Sequence, residues 1–179
     1  MARSATDEPD VRERLIQGTF DVLANDGTEG LTVRRIAEAA GRSTMCVYSK
    51  FGNRRRLLQE VYHRAAAALS DALARAKPAD GALGVALAYR RFARSHPERY
   101  ALLFEHPLGP LELPPAVRQD AIRQVADALT DAGGGQSYAT WATMHGLVVL
   151  ERTWSPGRRV PWTGSGWEDH YTAQVSAAL

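Results

Sequence analysis

Residues 31–51 read LTVRRIAEAAGRSTMCVYSKF, which is two short helical patterns separated by a glycine. Thr32 precedes the first pattern and is expected to cap that helix, because its hydroxyl accepts a bond from an otherwise unpaired amide. Gly41 is expected to end the helix, since glycine adopts the left-handed backbone of a tight turn without steric cost. Two short helices joined by a glycine turn predict a helix-turn-helix.

The second pattern predicts a helix with a polar outer face. Ser43 is its expected N-cap, and Val47 and Phe51, four residues apart, are expected to face the core. A helix placed in this way lays its outer face in a DNA major groove. The residues predicted to reach base edges are Thr44, Met45 and Cys46.

The next helix begins with an unusual run of cations. Asn53 is expected to cap it, yet residues 54–56 are all arginine, and cations in a first turn oppose the helix dipole. Such a run can be an ordinary solvated face, but beside a helix-turn-helix it predicts a phosphate-binding surface. The distribution of charge supports a phosphate-binding surface here, because residues 31–64 carry a net charge of +6, whereas residues 1–30 carry −4.

Residues 10 to 64 resemble the N-terminal DNA-binding domain of the TetR family of bacterial transcription regulators. The resemblance is carried by Leu31-Thr32 through Ala37, Gly41, Tyr48, Phe51 and Leu57-Leu58. A looser resemblance to a TetR subgroup named after a Trp/His/Gly motif is carried by residues 89–93, 96–100 and 141–147.

The resemblance implies roles for individual positions. Thr32 and Tyr48 would contact phosphates, although Tyr48 also suits the core of the three-helix domain. Arg34 would reach the DNA backbone or a base, and Arg54 stands where the family usually has a lysine. Met45, Cys46 and Ser49 depart from the family pattern. The predicted DNA-binding residues are Thr32, Arg34, Ser43, Thr44, Met45, Cys46, Tyr48, Ser49, Lys50 and Arg54.

Composition limits the alternatives. A chain of 179 residues with 45% hydrophobic content can bury one or two compact cores. Without an apolar run approaching ~18–20 residues, it is expected to stay off the membrane and in the cytoplasm. The single cysteine, Cys46, excludes an intrachain disulfide and a cysteine zinc cluster, and no cofactor or metal motif is visible.

Helical periodicity dominates the chain, so the expected fold class is all-α, with an N-terminal helix-turn-helix domain and a C-terminal helical domain. We expect a flexible arm over residues 1–9, a DNA-binding domain over 10–56, and an effector-binding and dimerisation domain over 57–179. Breaks are expected at 107–110, 133–135 and 155–157. The expected helices are 9–25, 33–40, 43–51, 53–76, 80–95, 97–104, 115–131, 136–154 and 167–178.

The family resemblance implies that the last two long helices pair with a second subunit and that the middle helices enclose a small effector. A dimer also suits DNA, because two recognition helices then lie about one turn, ~34–36 Å, apart. The helix over 136–154 is expected to be buried all round. The candidate effector contacts, which would also suit ordinary packing, are Tyr89, Phe92, Tyr100, Phe104, Trp141, Met144 and His145.

Together these patterns predict a homodimeric, ligand-responsive transcription regulator that binds a double-stranded DNA operator. We expect a repressor that a small-molecule effector releases. Two other classes stay open from the residues alone. One is a small all-α enzyme that uses C-terminal histidines such as His145, and the other is a nucleic-acid-binding protein without sequence preference.

Overall fold

A computed structural model gives the structure of residues 10–133, 137–154, 159–160 and 163–179. The predicted arm over 1–9 and the predicted breaks at 134–135 and 155–157 lie outside these ranges. The prediction of an all-α fold is confirmed, and the β pairing in the described ranges is one bridge between Arg159 and Gly166. The helices are α1 (Val11–Asp26), α2 (Val33–Ala39), α3 (Thr44–Phe51), α4 (Arg54–Ser95), α5 (Pro97–Phe104), α6 (Ala116–Asp131), α7 (Ser137–Trp154) and α8 (Trp167–Ala178).

The turn between α2 and α3 forms as the sequence predicts. The hydroxyl of Thr32 accepts a bond of 3.2 Å from the amide of Arg35, which confirms the cap. Gly41 has a φ of 62°, and the amides of Gly41 and Arg42 donate to the carbonyls of Glu38 and Ala37. This pair of bonds is a Schellman motif, which ends α2 and starts the turn.

Gly41→Ala is expected to lower the free energy of unfolding by about 1–2 kcal/mol, measured by urea denaturation. A Cβ at Gly41 would meet no atom within 4 Å, so the cost comes from the left-handed backbone alone. The matched control is Gly109→Ala, where φ is not positive and the Cβ also has open space. Equal losses at the two positions would contradict this explanation.

The start of α3 differs from the prediction. Ser43 occupies the N-cap position, but its hydroxyl makes no capping bond and lies 3.6 Å from the sulfur of Cys46. The backbone carbonyl of Ser43 accepts the amide of Cys46 at 3.0 Å. The serine hydroxyl is therefore not used by the first-turn amides, because its rotamer turns it toward the thiol.

Helix α1 lies close against the end of α2. A Cβ added at Gly18 would come within 2.9 Å of the backbone nitrogen of Ala40, so only glycine permits this approach. Asp10 caps α1 by accepting the amide of Arg12, and Gly27, with a φ of 67°, follows its last residue. The helix buries Leu15, Ile16, Phe20 and Leu23.

Helix α4 runs further than the sequence predicts. The side-chain oxygen of Asn53 accepts the amide of Arg56 at 2.9 Å, which confirms the predicted cap. Non-helical backbone at Asp80 and Gly81 divides α4 into two helices across a kink, so the predicted division into helices 53–76 and 80–95 holds, but the first helix ends a few residues later than predicted. Gly81 has a φ of 58°, a conformation that glycine adopts readily, so the break occurs there rather than at the preceding proline.

The chain forms two compact units, and each contains two segments. Unit 1 is Met1–Ala65 with Glu98–Pro115, and unit 2 is Ala66–Pro97 with Ala116–Leu179. In unit 1 the hydroxyl of the buried Tyr62 donates to the carbonyl of Leu103 at 3.1 Å, and the guanidinium of Arg99 lies 4.6 Å from the centre of the Phe20 ring. The predicted functional division after residue 56 stays a prediction.

Unit 2 contains a buried ion pair. The guanidinium of Arg90 on α4 makes two bonds of 2.8 Å to the carboxylate of Glu151 on α7, and these side chains are only 5% and 3% exposed. Glu168 on α8 lies 3.5 Å from the same guanidinium. The hydroxyl of Tyr171 donates to the carbonyl of Ala86 at 2.8 Å, so α8 is also tied to α4.

One face of α7 is open in the described part of the chain. Tyr138 and Ala142, four residues apart, are exposed there, and Trp154 is exposed at the end of the helix, while Met144 and Val148 are buried. The prediction that this helix is buried all round is therefore wrong for a single chain, because its apolar residues extend beyond the stripe that α6 and α8 cover. None of the helices in the described ranges is long and apolar enough to cross a membrane.

Candidate nucleic-acid interface

Two buried side chains hold α3 against the rest of unit 1. Val47 and Phe51 are buried, as the sequence predicts. The opposite face is open, with Met45 70% exposed. Thr44, Ser49 and Lys50 are also exposed. The helix therefore presents a continuous outer face to solvent, which is what insertion into a major groove requires.

The polar groups of this face are not equally available. Tyr48 is half exposed, so it is not a fully buried plug of the three-helix core. The hydroxyl of Ser49 donates to the carbonyl of Cys46 at 3.1 Å and is therefore partly used within α3. Cys46 itself is a free, half-buried cysteine. Thr44, Met45 and Tyr48 are left as the most available side chains.

The two arginines of α2 differ in their surroundings. Arg35 is bonded to Asp26 at 3.1 Å and to Glu38 at 3.2 Å, and the bond to Asp26 is the main reason why the pKa of its guanidinium is raised. Arg34 is exposed and forms no ion pair within the described part of the chain. Arg34 is thus the cation of α2 that is open to an external anion, and its contact with DNA stays a prediction.

Arg54 is engaged by protein groups. Its Nε donates to the carbonyl of Leu31 at 2.6 Å, and its Nη1 lies 2.8 Å from a carboxylate oxygen of Glu112. Nη2 donates more weakly to the carbonyl of Pro110 at 3.4 Å, and the side chain is 24% exposed. The phosphate contact predicted for Arg54 would require its guanidinium to give up these bonds.

The candidate effector contacts do not all fall in one unit. In unit 2 the hydroxyl of the buried Tyr89 lies 3.1 Å from Nδ1 of His145, whose ring stacks on Trp141 with 5.0 Å between centroids. Met144 and Phe92 are buried in the same unit. Tyr100 and Phe104 belong instead to unit 1, where their rings lie 5.2 Å apart.

Comparison with known proteins identifies the family of the chain. Residues 15–61 match the model of bacterial regulatory proteins of the TetR family, and residues 82–158 match the tetracyclin repressor-like C-terminal domain. The two matches together span more than two thirds of the chain. The chain belongs to the TetR family. The finer subgroup suggested by residues 141–147 stays a prediction.

Individual relatives of this TetR protein are regulators. An uncharacterised HTH-type transcriptional regulator of Mycobacterium tuberculosis is 29% identical over 154 residues, which is 79% of this chain and 70% of the relative. The HTH-type transcriptional repressor AcnR of Corynebacterium glutamicum is 32% identical over 72 residues, 40% of this chain and 38% of AcnR. The crystal structure of the multidrug binding protein EbrR complexed with imidazole has the same fold, with a TM-score of 0.68, 18% identity and 96% of both chains covered.

Proposed function

We propose that this TetR protein represses transcription by binding an operator with α3 and is released by a small-molecule effector. The exposed outer face of α3 carries the proposal, because Val47 and Phe51 anchor the helix and leave its other side chains for DNA. The similarity to the repressor AcnR supports the sign of regulation. Because the family is one of bacterial regulators, whose operators lie in the cytoplasm, we propose that the protein acts there.

The exposed residues divide into two kinds of contact. Met45, at the centre of the outer face, has no strong hydrogen-bonding group and suits apolar contact with a thymine methyl. Thr44 offers a hydroxyl to a base edge. Tyr48 and Arg34 suit backbone phosphates, which fix the position of the protein but carry no sequence information.

The test is the DNA affinity of the full chain and two variants, measured on a duplex selected from a random pool and on an unrelated duplex. Arg34→Gln is expected to weaken both complexes equally and to lower the slope of log affinity against log salt by about 0.9 for each bound protomer. Thr44→Ala is expected to reduce the preference for the selected duplex about fivefold, or about 1 kcal/mol, with the slope unchanged.

Arg123→Gln is the control, because Arg123 is an exposed arginine of unit 2 that pairs with Asp120. It should leave both the affinity and the slope unchanged. The proposal would be wrong if the unmodified protein bound every duplex equally, or if Arg123→Gln had the same effect as Arg34→Gln.

A homodimer formed by α7 and α8 completes the proposal. Exposed Tyr138 and Ala142 provide apolar area on one face of α7, and a Cβ at Gly146 on the same side would meet no atom within 4 Å. A second copy would cover this area and place a second α3 on the other half of a palindromic operator.

The effector is proposed to bind in unit 2 near Tyr89, Trp141 and His145. The stacked Trp141 and His145 rings and the hydroxyl of Tyr89 combine aromatic surface with polar groups, as small-molecule sites commonly do. The name of EbrR as a multidrug binding protein supports a small organic effector. A coupling free energy of ~1–3 kcal/mol between effector and operator would change DNA affinity about 5- to 150-fold.

A further inference from the structure

An open groove of about 410 Å³ lies in unit 1 between α1, the end of α3 and the first turns of α4. Its cations are Arg12, Lys50 and Arg56, and Glu60 is its carboxylate. Part of the groove is formed by Phe51. The groove therefore adjoins the proposed DNA-reading helix without including any of its base-reading residues.

Arg12 fixes the geometry of this groove. Its Nη1 donates to the carbonyl of Lys50 at 3.1 Å, its Nη2 lies 3.3 Å from Glu60, and its guanidinium lies 4.5 Å from the centre of the Phe51 ring. One side chain thus connects α1 with the end of α3 and with α4. The position of Lys50 relative to α4 is set by these contacts.

The groove keeps an excess of positive charge. The carboxylate of Glu60 already serves Arg12 and also lies 3.5 Å from Nε of Arg64. Lys50 and Arg56 are exposed, and neither forms an ion pair in the ranges that the structure describes. Two cations that share a groove and have no acidic partner there favour an anionic ligand.

We propose that this groove binds a backbone phosphate of the duplex that α3 reads, with Arg56 and Lys50 as its ligands. The proposal rests on the proposed function, because Lys50 belongs to α3 and also lines the groove. Arg54, in contrast, is a positioning residue, since it is held by Leu31 and Glu112. We therefore assign the phosphate contact to Arg56 rather than to Arg54, the residue that the sequence suggests.

The test compares the salt dependence of DNA affinity for variants of the full chain, on the selected duplex and on an unrelated one. Arg56→Gln is expected to lower the slope by about 0.9 for each bound protomer on both duplexes, whereas Arg56→Lys keeps it. Arg55→Gln is the matched control, because Arg55 is an adjacent exposed arginine outside the groove. It should keep the slope of the unmodified protein.

Two further variants test the role of Arg54. Arg54→Gln is expected to weaken binding without changing the slope, because the loss acts through the position of α2. Glu112→Gln is expected to behave in the same way, although it removes a negative charge. A steeper slope in Glu112→Gln would show that the released Arg54 reaches DNA, and it would overturn the positioning role.

The possible results distinguish failure of the groove proposal from failure of the proposed function on which it rests. If DNA binding by the unmodified protein depends on salt but Arg56→Gln keeps the same slope, the groove proposal is wrong and the proposed function stands. The same conclusion follows if the groove binds free phosphate but no duplex. Equal slope losses in Arg55→Gln and Arg56→Gln would show general attraction and would also overturn it. If the unmodified protein bound no duplex at low salt, the proposed function itself would fail.

Discussion

Glu151→Leu is expected to lower the free energy of unfolding of unit 2 by about 3–5 kcal/mol. The substitution removes the carboxylate that makes two bonds of 2.8 Å to Arg90, and within the described ranges the acidic partner that remains for this buried guanidinium is Glu168, at 3.5 Å. An uncompensated buried charge costs far more than the pair contributes over apolar residues of similar volume. Because all four tryptophans lie in residues 116–179, urea unfolding followed by tryptophan fluorescence reports on this unit.

The double variant Arg90→Met with Glu151→Leu is the decisive companion, because it removes both charges. It should recover most of the loss and show strong coupling in a double-mutant cycle. Asp120→Leu is the matched control, since it breaks an exposed pair with Arg123 and should cost less than about 1 kcal/mol. A loss of under 1 kcal/mol for Glu151→Leu would mean that water reaches Arg90.

Phe51→Ala is expected to cost about 3–5 kcal/mol in unit 1 and to abolish sequence-specific DNA binding. Helix α3 buries only two side chains, Val47 and Phe51, so the substitution removes the larger of its two anchors. It also removes the ring beneath the guanidinium of Arg12. Hydrogen exchange is the suitable measurement, because unit 1 contains no tryptophan.

The amides of α3 should lose protection in Phe51→Ala, whereas those of α7 should keep it. Phe51→Leu, which retains most of the apolar volume, should keep both α3 protection and DNA binding. If α3 stayed protected in the alanine variant while binding was lost, the anchoring explanation would be wrong.

The helix-turn-helix could be predicted because each of its signals is local. The Thr32 cap, the left-handed Gly41 and the Asn53 cap depend on residues within a few positions of each other, and the structure confirms all three. The burial of Val47 and Phe51 follows from their spacing of four residues. Such features need no knowledge of the remaining chain.

The contacts that could not be predicted join distant positions. Arg54 bonds to Glu112, 58 residues away, so nothing near Arg54 indicates that its guanidinium is occupied. Arg90 and Glu151 are 61 residues apart. The orientation of the Ser43 hydroxyl escaped prediction for a different reason, because a residue type suited to capping does not determine its rotamer.

Unit 1 is built from two separate stretches of sequence, and this limits how such a DNA-binding unit can be exchanged between proteins. A chimera with a single junction after Ala65 would lack Glu98–Pro115 of unit 1. It would therefore lack the Leu103 carbonyl that accepts a hydrogen bond from Tyr62. Glu112, the counter-ion of Arg54, would be lost as well. A chimera that keeps unit 1 intact must include both stretches, so a single crossover cannot transfer this unit to another protein.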